Sequence, residues 1–183
     1  MPSPVDIDML IEELIDREGG YSDHPADRGG PTRYGITQAV ARRNGYAGDM
    51  RGFPRVRAAA IYAREYWSGP GYDRIATIAP RVAAELFDTG VNMGTAVATA
   101  FLRRALNALN RNSTDYPDIP AEGAVDDKLH VALSAFLRRR GASGEAVLLK
   151  ALEAMQGERY IRLAESRPAN EAFLYGWLAN RIG

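Results

Sequence analysis

Three residues near the start of the chain have side chains that could cleave a glycosidic bond: Glu18, Asp27 and Thr32. Hydrolysis of such a bond needs a protonated acid beside the leaving oxygen, and a second group that handles the water or the oxocarbenium charge across the sugar ring. A carboxylate and a hydroxyl on one loop could supply the second group. We therefore predict these three residues as catalytic, with Glu18 as the general acid and Asp27, with Thr32, orienting water or stabilising positive charge.

A helix must position Glu18. Apolar residues recur at helical spacing from Ile7 to Ile15, and Glu18 continues their stripe. The run Ser3-Pro4-Val5-Asp6 is typical of a helix start, with Pro at the first helical position. A carboxyl on the core-facing stripe is expected to be partly desolvated, which favours the protonated form that a general acid needs.

The loop after this helix must position the other two residues. Residues 19–36 are dense in Gly, Pro and Asp, which predicts irregular structure with at most a short hairpin. Glycines let a backbone approach a ligand closely, so Asp27 and Thr32 could face Glu18 across a groove. The alternative is a helix-end Glu in solvent and aspartates that only stabilise turns.

Composition narrows the class of protein. A chain of 183 residues with 46% hydrophobic residues can bury one core, or a core and a small helical appendage. Lys plus Arg equal Asp plus Glu at 23 each, so we expect no nucleic-acid partner. There is no cysteine, and His24 and His130 lack ligand spacing, so we expect neither a metal site nor another cofactor.

The apolar pattern predicts a mainly α fold, because no segment shows sustained period-two alternation. The residues from 111 to 120, rich in Asn, Ser, Thr, Asp and Pro, form the best candidate for an internal boundary or exposed loop. The predicted helices after the first cover about 38–43, 54–67, 80–87, 95–109, 126–140, 144–165 and 170–181.

Residues 18–37 resemble the motif of glycoside hydrolase family 108, whose members are similar to phage lysozymes and act as N-acetylmuramidases. The resemblance lies in Glu18-Gly19-Gly20-Tyr21, in the Asp-x-Pro-x-Asp-x-Gly-Gly-x-Thr pattern from Asp23 to Thr32, and in Tyr34-Gly35-Ile36-Thr37. Tyr66-Trp67 and residues 87–94 also resemble the family. The resemblance implies a lysozyme-like fold and a catalytic acid at Glu18.

The second half resembles the small helical peptidoglycan-binding domain that follows the catalytic region in this family, through residues 157–160 and 173–181. We therefore predict a lysozyme-like catalytic region over 1–94 and a helical peptidoglycan-binding-like region over 95–183, packed against the first. The aromatic residues of the second region could contact glycan or belong to a core; the sequence leaves both open.

Four further residues are candidates for substrate binding. Tyr21, Tyr34 and Trp67 could stack on sugar faces, although aromatic residues at helical spacing also build cores. By resemblance, Asn92 would bond an N-acetyl or hydroxyl group; helix capping is its alternative role.

Glu18, Asp27 and Thr32 also resemble the Glu, Asp and Thr triad of other phage lysozymes. In many of those proteins the threonine lies one position later relative to the aspartate, where this chain has Arg33.

Together these features predict a peptidoglycan hydrolase that cleaves the β-1,4 bond between N-acetylmuramic acid and N-acetylglucosamine, a phage or prophage endolysin. The alternatives are a lytic transglycosylase and a non-catalytic cell-wall-binding or secretion-associated module. No signal peptide or apolar span is evident. We therefore expect a monomer made in the cytoplasm, which reaches peptidoglycan after a holin or another export route opens the membrane.

Overall fold

A computed structural model describes residues 5–23 and 30–182, which fall into two compact units, 5–69 and 70–182. The mainly α class is confirmed, because helices dominate both units and the described strands form one small sheet. The predicted division between residues 94 and 95 stays a prediction. Among the described helices, none combines the length and apolar character needed to cross a membrane.

The first unit contains a helix, a small sheet and a second helical segment. Its elements are α1 (Ile7–Glu18), β1 (Tyr21–Ser22), β2 (Thr32–Arg33), β3 (Ile36–Thr37), α2 (Gln38–Arg43), a 3-10 turn (Met50–Gly52), α3 (Arg55–Tyr62) and a π-helix (Ala63–Ser68). The helix α1 begins later than predicted, because the Asp6 side chain caps it by accepting from the Met9 amide at 3.1 Å. Its apolar stripe packs inward through Ile11, Leu14 and Ile15, all buried.

The sheet is antiparallel, with β2 between β1 and β3. Because Arg33 pairs with Ile36, a two-residue turn of Tyr34 and Gly35 joins β2 to β3. Both turn residues have positive φ, 54° and 73°, as a type I′ hairpin turn requires. The short hairpin that the prediction for residues 19–36 allowed is therefore present, beside the end of α1.

The helix α3 changes its winding without a break at Ala63. The Gly69 amide donates to the Arg64 carbonyl five residues back, at 2.8 Å, and the Ser68 hydroxyl donates to the Ala63 carbonyl at 3.1 Å. Gly69 permits this exit, because a β-carbon there would lie 2.6 Å from the Arg64 carbonyl oxygen. The helix predicted over 54–67 thus forms, but its last six residues are a π-helix, a winding often found at functional sites.

The second unit is built from helices that pack on α5 and α7. Its elements are α4 (Tyr72–Ala76), α5 (Pro80–Met93), α6 (Thr95–Ala108), α7 (Asp127–Ser166), a 3-10 turn (Pro168–Asn170) and α8 (Glu171–Arg181). The helix α5 is six residues longer than predicted, and Gly94, at φ 93°, separates it from α6. The helix α5 packs against α4, α6 and α7, and α7 packs also against α8.

The helix α7 bends at Gly141, whose φ and ψ are 62° and −156°. The two helices predicted over 126–140 and 144–165 are the two arms of this bent element. A β-carbon at Gly141 would meet nothing within 4 Å. The backbone conformation, rather than a lack of space, therefore explains the glycine.

The loop between α6 and α7 is held by the side chain of Arg103, a residue of α6 that is 1% exposed. Its guanidinium donates to the Pro120 carbonyl at 3.2 Å and to the Ala124 carbonyl at 2.5 Å, and it pairs with Asp126 at 2.9 Å. A buried arginine needs such acceptors, because an unpaired charge there would be costly. Arg103 thereby ties this loop to α6.

Two asparagines of the same region complete the attachment. The side-chain Nδ2 of Asn110 donates to the backbone carbonyl of Tyr116 at 2.6 Å, and its Oδ1 accepts from the backbone N–H of Tyr116 at 3.1 Å. Asn107 makes the same reciprocal pair with Ile119, at 2.7 and 3.0 Å. The segment 111–120, predicted as an internal boundary or exposed loop, is therefore a loop attached to the unit at Tyr116, Ile119 and Pro120.

Candidate functional site

Glu18 is the last residue of α1, and its side chain lies against the hairpin turn. A methyl group added at Gly35 would lie 3.0 Å from Glu18 Cγ, 3.1 Å from Glu18 Oε2 and 2.3 Å from the Tyr62 hydroxyl. Gly35 is therefore required twice, by its positive φ and by the close approach of these two side chains.

Tyr62 supports the turn from the core of the unit. Its side chain is 3% exposed, and its hydroxyl donates to the Tyr34 carbonyl at 3.0 Å. Burial raises the pKa of the Tyr62 hydroxyl above its ordinary value, and the nearby Glu18 carboxylate raises that pKa further. The phenol therefore stays protonated and remains a hydrogen-bond donor to the turn.

The carboxyl of Glu18 is more accessible than the helical stripe predicts, because the residue is exposed. The stripe is buried as far as Ile15, but Glu18 closes the helix and Gly19, at φ 77°, turns the chain away. The partial burial expected of this carboxyl is therefore not found.

Thr32 lies in the central strand, opposite Ser22 and Thr37. It is half-buried, and its hydroxyl donates to the Gly30 carbonyl at 3.0 Å. Because the hydroxyl proton of Thr32 is used in this hydrogen bond, its Oγ1 can only accept a hydrogen bond from water. Asp27 lies outside the described residues, so its assignment stays a prediction, as does that of Thr32.

Tyr34 and Tyr21 both lie in the hairpin region, and guanidinium groups contact their rings. Arg33 and Arg55 lie 4.9 and 5.9 Å from the Tyr34 ring centre, and Arg51 lies 5.0 Å from that of Tyr21. Such contacts hold a ring in place at a partly exposed site. Stacking of either ring on sugar stays a prediction.

Arg55 links α3 to α1, a contact that the sequence analysis did not predict. Its Nε donates to a Glu12 carboxylate oxygen and its Nη1 to an Asp16 carboxylate oxygen, both at 2.7 Å, and its Nη2 donates to the Glu12 carbonyl at 3.1 Å. Separate exposed ion pairs contribute little, but one guanidinium holding three acceptors fixes a geometry. Only the fold brings these residues, about forty positions apart, together.

Trp67 and Asn92, the other two predicted substrate contacts, occupy different units. Trp67, in the π-helix, is 8% exposed. Asn92, in α5 of the second unit, donates to the carbonyl of Asp88 at 2.8 Å and to its carboxylate at 3.0 Å. Their substrate roles stay predictions. Within residues 5–23 and 30–182, no group of three or more His, Asp or Glu side chains is placed to hold a metal ion.

Two family models match adjoining parts of the chain. Residues 11–94 match the family model described as glycosyl hydrolase 108, and residues 97–182 match that of a predicted peptidoglycan domain. No curated protein matches the chain. The solved structure of Brucella abortus SagA has a similar fold, with a TM-score of 0.68 and 21% identity, over 94% of this chain and 87% of that chain.

Proposed function

We propose that this chain, which carries a glycosyl hydrolase 108 domain over residues 11–94 and a peptidoglycan domain over residues 97–182, is an N-acetylmuramidase. These two domains support the broader class, a peptidoglycan hydrolase. The bond cleaved would be the β-1,4 bond between N-acetylmuramic acid and N-acetylglucosamine. The observation that carries this proposal is the position of Glu18, an exposed carboxyl at the end of α1 against the Gly35 turn.

In the proposed reaction, Glu18 donates its proton to the leaving glycosidic oxygen as the bond from that oxygen to the anomeric carbon breaks. The electron pair of the broken bond stays with the leaving oxygen, and positive charge develops on the sugar ring. Water then bonds to the anomeric carbon and gives up a proton to Asp27. Thr32 would orient that water by accepting a hydrogen bond from it, as its committed proton permits.

The fixed turn supports the role of Glu18. Tyr62 holds the Tyr34 carbonyl, and Gly35 leaves room for the glutamate beside it. Side chains that are held before substrate arrives need less reorganisation in the transition state. The site is therefore suited to protonating a bond that the substrate itself shields from water.

We also propose a setting, phage or prophage lysis, in which a holin or another route gives the enzyme access to the cell wall. The resemblance of residues 18–37 to phage lysozymes supports it. Expression inside bacteria should lyse the cells only when a pore-forming holin is expressed as well. Lysis at equal rates without any permeabilising agent would contradict this setting.

The chemistry is tested by digesting purified peptidoglycan and analysing the muropeptides by mass spectrometry. A muramidase leaves reducing N-acetylmuramic acid ends, each heavier by one water than the transglycosylase product. Products with 1,6-anhydro ends would identify a lytic transglycosylase instead, and reducing N-acetylglucosamine ends would place cleavage at the other glycosidic bond. Intact peptidoglycan after digestion would overturn the enzymatic role.

A further inference from the structure

We propose that a basic surface groove of the second unit binds the free carboxylates of peptidoglycan peptide stems. We call it the stem groove. The proposal rests on the proposed function only in taking peptidoglycan as the ligand. The groove lies between α6 and α7, and its walls include Phe101, Arg104, Met155, Glu158, Arg159 and Arg162.

The size of the groove suits a short peptide. Its volume is about 530 Å³, within the range of roughly 300–1,000 Å³ typical of sites for small ligands. Two or three amino-acid residues could lie in such a space. The groove is bounded by two packed helices, so its walls are positioned by the core of the unit.

The charge of the groove favours an anion. Arg162 is engaged by Glu158, one helical turn away, with its Nε donating at 2.8 Å. Arg104 and Arg159, one from each helix, form no ion pair within the described part of the chain. The Nε of Arg159 is covered and has no acceptor among those residues. Two guanidinium groups therefore line the groove with no ion pair to a carboxylate of the described residues, while the Glu158 carboxylate is engaged by Arg162.

The chemistry of peptidoglycan identifies which part of it fits. Its N-acetylated sugars are uncharged where the lactyl group is linked to peptide, whereas the stem carries free carboxylates. Guanidinium groups bind carboxylates in a bidentate manner. Phe101 and Met155 add apolar surface beside the arginines, suited to the methyl and aliphatic chains of stem residues. The groove therefore matches the peptide rather than the glycan.

The chain as a whole has no net charge, so general attraction to anions does not account for such binding. Cell walls also contain phosphate polymers, which are a different class of macromolecule. Peptide carboxylates are favoured over them because the groove is limited to about 530 Å³ and is partly apolar. A long phosphate polymer would instead be expected on a more extended basic surface.

The test measures binding by calorimetry, using the full wild-type chain and a soluble stem tetrapeptide, which has no glycosidic bond to cleave. The expected result is binding of the free-acid peptide and at least tenfold weaker binding of the same peptide with its carboxylates amidated. Arg159→Gln and Arg104→Gln should each weaken free-acid binding by about tenfold or more. Arg138→Gln, which removes an exposed arginine elsewhere on α7, should leave it unchanged.

Folding is checked by thermal melts, and Arg104→Gln keeps the test valid if Arg159→Gln unfolds, because Arg104 is exposed. Equal binding of both peptides, no binding of either, or unchanged affinity in the arginine variants would overturn the proposal. Tighter, arginine-dependent binding of a soluble wall phosphate polymer would assign the groove to that class instead. Glycan cleavage is measured separately, so arginine-dependent peptide binding without cleavage would defeat the proposed muramidase and leave the groove standing.

Discussion

The two units use their polar side chains in opposite ways. In the first, Glu18 is exposed at a helix end, and one tyrosine hydroxyl holds the hairpin turn beside it. In the second, Arg103 and Asn110 are buried and satisfy the backbone of a long loop. An exposed group can be lost at small cost in folding free energy, whereas a buried network cannot. Substitutions should therefore reduce activity in the first unit and stability in the second.

The largest effect is expected from Glu18→Gln, which preserves the shape of the side chain and removes its transferable proton. General acid catalysis contributes about 10²- to 10⁴-fold, so the rate of cell-wall clearing should fall by that factor. The melting temperature should hardly change, since the residue is exposed. Glu13→Gln, an exposed glutamate on the same helix, is the control and should keep full activity. A Glu18→Gln variant with more than a tenth of the normal rate would show that another group is the acid.

Arg103→Met tests the opposite side of the comparison. It leaves the carbonyls of Pro120 and Ala124 without their donor, so the free energy of unfolding should fall by about 2–4 kcal/mol. Urea denaturation would measure this loss, and Arg104→Met, at the exposed neighbouring position, should show almost none. Below its melting temperature, the Arg103→Met variant should retain its rate per folded molecule. If Arg103→Met lost activity without losing stability, the assignment of a structural role to the polar side chains of the second unit would be wrong.

Gly35→Ala should affect both properties, because it strains the backbone and presses on Tyr62 and Glu18. The expected loss of stability is about 1–3 kcal/mol, with a clear loss of activity as the glutamate shifts. Gly45→Ala shares the positive φ but meets no neighbour within 4 Å, so it isolates the backbone strain. Adding Tyr62→Phe removes the closest contact and should recover part of the lost activity. If both alanine variants behave alike, the close approach is unimportant.

The smallest effect concerns Glu85 in α5. Burial, together with the carboxylates of Asp88 and Glu153, raises its pKa to about 7, against a hydrogen bond from Thr89 that lowers it. Because its folded pKa lies above its unfolded one, its contribution to stability is complete below about pH 4.5 and is lost as the pH rises through 7. Glu85→Gln should therefore stabilise the protein relative to wild type by about 1–3 kcal/mol more at pH 8 than at pH 4.

Melts of the wild type and the Glu85→Gln variant between pH 4 and 8 would measure this difference. Glu165→Gln, an exposed position on α7, is the control and should not change the slope of stability with pH. If the plots of stability against pH were parallel for the wild type and the Glu85→Gln variant, the pKa of Glu85 would be the same in the folded and unfolded protein, contrary to this prediction.

Local signals in the sequence predict most of the helices, since caps and periodicity act over a few residues, but they miss the short helix α4. Thr37 caps α2 by accepting from the Val40 amide at 3.3 Å, and the helix ends at Arg43 as predicted. The features that sequence reasoning missed depend on distant partners. The roles of Arg55 and Arg103 require residues that only the fold brings close. The exposure of Glu18 depends on how the next turn leaves the helix, which periodicity does not register.

The candidate site is less predictable for a related reason. The sequence identifies Gly35 as part of an irregular segment, but not that Tyr62 approaches it from a helix 27 residues later. Tyr34 adopts a positive φ that its residue type does not favour, and the hydrogen bond from Tyr62 to its carbonyl supports that conformation. Chemistry-bearing residue types can be recognised in a sequence, whereas the contacts that hold them in place cannot.

The π-helix at Ala63–Ser68 lets this stretch hold one residue more than an α-helix with the same number of turns. A residue inserted into an α-helix turns everything beyond it by about 100°. The wider π turn takes up that rotation, so a relative with one residue fewer between Tyr62 and Gly69 could complete an ordinary α-helix there and keep its counterpart of Trp67 on the same side. In alignments of such chains, a single-residue gap at this point would therefore mark the loss of the π-helix and no change in the direction of the indole.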